Sequence, residues 1–107
     1  MTLTARTEVL ERDVIVLLAG TIDRNAGPVL DEVAASTAGT EVVELDVTDV
    51  DYINSSGIAL LVGLLSRARS AGTALRVSGL TPHYRHIFAI TRLDDFIEIV
   101  EPAGRPS

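Results

Sequence analysis

The chain has 107 residues, no cysteine and a net charge of −6; it is long enough for one domain with a real core, too short for two, and excludes disulfide and thiol chemistry. The negative charge repels nucleic acid and anionic lipid, and with aromatics at 4% against 47% hydrophobic residues the core is aliphatic and the platforms on which bases stack are scarce. Residues 1–6 lack the apolar centre of a signal peptide and no run approaches the ~18 apolar residues of a membrane span, so a cytoplasmic protein is expected.

Residues 3–11 and 14–19 are rich in β-branched side chains and flank a turn at Glu11-Arg12-Asp13, which predicts an opening hairpin. The continuous apolar run 14–18 suits a strand covered on both faces. Gly20-Thr21-Ile22-Asp23 breaks the pattern, and Asp23 or Asn25 can cap a helix with Pro28 in its first turn, burying Val29, Leu30, Val33 and Ala34 and closed by Gly39.

Residues 42–47 predict a second buried strand, leading through Asp49 and Asp51 to Asn54-Ser55-Ser56-Gly57. From there the spacing becomes helical up to Gly72: Ile58, Leu61, Val62, Leu65 and Ala68 make one apolar stripe. At ~100° per residue, Ser56, Leu60, Gly63 and Arg67 share the opposite face, expected to be in solvent. A stray surface leucine is common; a leucine, a glycine, a hydroxyl and a cation in one row suggest a docking face.

Residues 74–78 predict a third strand, and Thr81-Pro82 caps a short helix with Tyr84, Ile87 and Phe88 inward. A last strand is expected over 96–100 and a frayed tail after it. Strands alternating with helices after a hairpin imply an α/β fold with a mixed, mainly parallel β-sheet. The expected organisation is a single domain over residues 1–107, with its core at about 3–100 and a tail at 101–107.

Ser55 and Ser56 begin the central helix, where serine commonly caps free N–H groups. His83 and His86 have a spacing of three, but with no cysteine and no HExxH context a metal site is not expected. A serine on a strand-to-helix turn also suits a hydrolase nucleophile elbow, with His83 or His86 as base and Asp23 orienting it. The signature glycine two residues before the serine is absent and there is no room for a substrate domain, so no catalysis is expected.

Taken in order, Gly20-Thr21-Ile22-Asp23, Tyr52-Ile53-Asn54-Ser55-Ser56-Gly57-Ile58, Gly72, and Ala89-Ile90-Thr91-Arg92-Leu93-Asp94-Asp95-Phe96-Ile97 resemble the STAS domain of bacterial anti-sigma factor antagonists over residues 3–100. The resemblance implies a STAS-like fold and a protein-binding switch in transcription regulation. In that family the unphosphorylated antagonist captures an anti-sigma factor that is also a serine kinase, freeing a sigma factor. The kinase then phosphorylates the antagonist, which lets go, and a serine phosphatase resets it.

The resemblance implies that Ser55 is the phosphoacceptor, with Ser56 the alternative, and that Asp23 lies beside it; together with the helical row, the expected partner contacts are Asp23, Asn54, Ser56, Gly57, Leu60, Gly63 and Arg67. It implies no cofactor, no direct nucleic-acid contact and no membrane. Two positions depart from the pattern: Asn54 stands for the usual aspartate, and Arg92 for a common glycine. Asn54 keeps an alternative alive, a STAS subunit of a signalling or lipid-transport assembly whose serine turn docks without phosphotransfer.

Overall fold

The computed structural model describes residues 2–101; the tail expected to fray, residues 102–107, lies outside the described residues. Five strands form one sheet in the order β1-β2-β3-β4-β5: β1 is Leu3–Val9, β2 Asp13–Ile22, β3 Val42–Ile53, β4 Ala74–Ser78 and β5 Glu98–Val100. The β1–β2 pair is antiparallel and the other three are parallel. Three helices connect the parallel strands: α1 (Gly27–Ser36), α2 (Ser55–Ser70) and α3 (Pro82–Ile90). This is the expected mixed, mainly parallel α/β sheet with an opening hairpin.

Because β2 to β5 follow each other without reversal, right-handed crossovers put all three helices on the same face. Alternation along the strands agrees: Val14, Val16, Val43, Leu45, Leu75 and Val77 join one buried cluster with Leu30 of α1, Leu64 of α2 and Phe88 of α3. The intervening Ile15 is also buried but stands outside that cluster. Burying this aliphatic surface is the main force holding helices to sheet.

Strand β3 runs to Ile53, six residues past the predicted end at 47. Its polar half stays extended because β2 extends with it, in pairs from Ala19↔Asp49 to Ile22↔Ile53, with one register shift before Ala19 and a second between Gly20 and Thr21. Period and polarity alone end a strand where the apolar run ends; a partner strand of equal length overrides them. At the other end, Phe96 belongs to no strand: a 3-10 turn at Leu93–Asp95 precedes it, and its ring is half exposed beneath Arg69, whose guanidinium lies 5.1 Å from the ring centroid.

Helix α2 is also turned relative to its predicted faces. Leu61, Leu64 and Leu65 are buried, whereas Val62, expected in the core, is 43% exposed. Leu60, expected in solvent, is partly buried against the core, and its methyl faces Gly27 at the start of α1. Arg67 is drawn the same way, its guanidinium 2.8 Å from the Asp31 carboxylate of α1. The reason is α1: a helix flanked by another helix as well as by the sheet buries a wider arc, displaced towards that neighbour.

Candidate functional site

Parallel pairing ends at Ile22↔Ile53, so the two residues that follow, Asp23 and Asn54, leave neighbouring strands side by side. The Asp23 carboxylate accepts the Asn25 N–H at 2.8 Å and caps a 3-10 turn, Arg24–Ala26, that leads into α1. Asn54 is extended and caps α2: its side-chain oxygen accepts the Gly57 N–H at 2.8 Å, and its carbonyl accepts the Ile58 N–H at 2.9 Å.

That division of labour decides the state of the serines. Since Asn54 takes the cap, Ser55 and Ser56 fall inside the first turn of α2, both are exposed, and neither hydroxyl is hydrogen-bonded among the described residues. The first amides of a helix lack intrahelical acceptors and carry the positive end of its dipole, so a negative group on either hydroxyl would be stabilised there.

Three contacts hold this turn on the sheet. The Asn54 N–H donates to the Ile22 carbonyl at 3.2 Å. Gly57 passes so close to that carbonyl that any Cβ would overlap it, which is why a glycine follows the serines. The Ile53 N–H donates to the hydroxyl of Tyr84 in α3 at 3.0 Å. Tyr84, expected only as an inward helix residue, is the contact sequence reasoning missed; nothing in a spacing of 31 residues signals it.

The structure brings Asp23, Asn54, Ser55, Ser56 and Gly57 together at one end of the sheet; of the predicted row, Leu60 packs against the core beside α1 and the exposed Arg67 pairs with Asp31 of α1, while Ser56 and Gly63 stay open. The solvent face of α2 is instead Ser55, Ala59, Val62, Gly63 and Ser66, all exposed and spaced at three or four residues. His83 and His86 are exposed on α3, His83 edge-on to the Tyr84 ring, and among the described residues no cluster of three metal-ligating side chains occurs.

The family described as "Mlab, STAS domain" matches residues 6–101. The chain is 33% identical to the anti-sigma-B factor antagonist of Bacillus subtilis, over 83% of this chain and 83% of that protein. It is 32% identical to the anti-sigma-B factor antagonist of Listeria monocytogenes, over 91% and 90%. Its fold matches that of SpoIIAA, an anti-sigma factor antagonist, solved unphosphorylated (TM-score 0.72, 14% identity, 94% and 90% covered) and phosphorylated (TM-score 0.68, 17%, 91% and 91%). With the sheet order, the capped serine turn and these likenesses together, the chain belongs to the STAS domain family.

Proposed function

We propose that this chain is an anti-sigma factor antagonist, a binding protein that captures an anti-sigma factor and so releases a sigma factor for transcription. The observation that carries the reading is the pair of exposed serine hydroxyls, left without capping duty by Asn54, at the start of α2. Identity of 32–33% with anti-sigma-B factor antagonists and a fold shared with SpoIIAA, which exists in a phosphorylated form, support it. Residues 1–107 act as one cytoplasmic domain with no catalysis of its own and no direct contact with nucleic acid or membrane; among the described residues no helix is long and apolar enough to cross a bilayer.

The partner docks on Ser55, Ala59, Val62, Gly63 and Ser66, with Asp23, Asn54, Ser56 and Gly57 at the head of that face. The anti-sigma factor is itself a serine kinase. It transfers the terminal phosphoryl group of ATP to the Ser55 oxygen, leaving ADP and the displaced hydroxyl proton. The product carries roughly −1.5 to −2 charges at pH 7. The first amides of α2 stabilise that charge, so the fold survives; the partner, obliged to desolvate it beside Asp23, dissociates. A serine phosphatase restores the hydroxyl.

Incubation with the cognate kinase and ATP, followed by intact-mass and fragment spectra, should place one phosphate on Ser55; phosphate on Ser56 alone would move the site by one residue. Asn54, a neutral cap where the family resemblance implies the usual aspartate, favours a second reading: a STAS subunit that docks through the same turn without phosphotransfer. Capture of the partner with no phosphate on either serine would select that reading.

A further inference from the structure

Strand β3 outruns its neighbour. Pairing with β4 stops at Asp46↔Ser78, whereas pairing with β2 continues to Ile22↔Ile53. The last residues of β3 therefore have a strand on one side only, and on the other side their backbone N–H groups need acceptors from elsewhere. At Ile53 the acceptor is the Tyr84 hydroxyl at 3.0 Å, while one residue on the Asn54 N–H turns back to the Ile22 carbonyl. The chain is thus clamped from both sides immediately before the cap that starts α2. Tyr84 is itself fixed: the Thr81 hydroxyl oxygen accepts its N–H at 3.3 Å, and its ring packs against the core.

We propose that Tyr84 is a positioning residue for phosphorylation of Ser55, its hydroxyl holding the Tyr52–Ile53 peptide, and through Ile53 the Asn54 cap, where Ser55 meets the phosphate donor. The inference rests on the function proposed above and names a residue about thirty positions from the serine motif, on another helix. Phosphoryl transfer depends on placing the attacking oxygen in line as well as on stabilising the charge of the transferred group. Without the Tyr84 hydroxyl, a half-buried N–H must find water instead, and the turn opens with it. Tyr84 reaches neither serine hydroxyl by any hydrogen bond among the described residues, so its effect passes through the backbone.

The test uses the full chain with Tyr84→Phe, which keeps the ring and removes one oxygen, and His83→Ala, which removes the adjoining ring and keeps the hydroxyl. In Tyr84→Phe the amides of Ile53 and Gly57 should exchange with solvent about tenfold faster, while that of Val43 in the shared part of β3 stays at its wild-type rate. With the cognate kinase, kcat for phosphate transfer should fall about tenfold and KM stay near wild type, because the face along Val62 is untouched. His83→Ala should match the wild type in both measurements. Unchanged exchange at Ile53, or faster exchange with an unchanged kcat, overturns the inference and leaves the antagonist reading standing. If the wild-type chain takes no phosphate, the phosphoswitch reading fails and takes the kinetic role of Tyr84 with it, a result told apart by exchange rates that still report the clamp.

Discussion

A methyl group on Gly57 has no room, because it would overlap the carbonyl oxygen of Ile22, an atom already held by the Asn54 N–H. Gly57→Ala should therefore cost roughly 1–3 kcal/mol, read as a lowered urea midpoint; a wild-type midpoint would mean that α2 does not start against the end of β2. Asn54 can be tested beside it. Asn54→Ala removes the acceptor for the Gly57 N–H and should cost about 1 kcal/mol, whereas Asn54→Asp keeps an acceptor and should be close to neutral for stability. That the turn needs a small residue and a cap was legible in Asn54-Ser55-Ser56-Gly57, because caps are local. Which of three capping-competent side chains would take the N–H was not, since it depends on where the strands deliver the backbone.

Helix α2 reports its neighbours more than its own pattern. Leu61→Ala should lower stability by roughly 2–5 kcal/mol by opening a cavity, while Val62→Ala should stay within about 0.5 kcal/mol, both measured by thermal or urea unfolding. Equal losses at the two positions would restore the face expected from periodicity. The turn after α3 carries a different kind of constraint. Arg92 has φ 62° and ψ 21°, a left-handed conformation that costs a non-glycine residue roughly 1–2 kcal/mol. Its 3.0 Å contact with Asp95 is solvent-exposed on both sides and offsets little of that. Arg92→Gly is expected to raise the melting temperature by a few degrees; a fall would show that the arginine contributes more than its geometry suggests.

The arrangement of sheet and helices decides which surface a partner can reach. All three helices share one face of the sheet, α1 takes Leu60 and Arg67 as neighbours, and the arc of α2 left open starts at Ser55 and passes through Val62. Val62→Asp should leave the melting temperature near wild type and abolish capture of the anti-sigma factor, because an unpaired carboxylate in a contact costs several kcal/mol to desolvate. Leu60→Asp should instead lower the melting temperature, since its charge would enter the packing against α1. If Val62→Asp binds like the wild type in a pull-down or calorimetric titration, the docking face lies off α2.

The order of strands and helices, the aliphatic core, the serine turn and the family likeness could all be read along the chain, because each depends on residues a few positions apart: apolar period, caps, turn glycines, motif spacing. The length of β3, the turning of α2 and the reach of Tyr84 to Ile53 could not. Each depends on what stands beside the element rather than on what the element contains: β2 extends β3 beyond its apolar run, α1 widens the buried arc of α2, and the early end of β4 leaves an N–H for a tyrosine thirty-one residues away. A linear pattern records the preferences of one element; long-range pairing and helix packing choose among them, because the contacts they bury outweigh the fraction of a kcal/mol that separates one local preference from another.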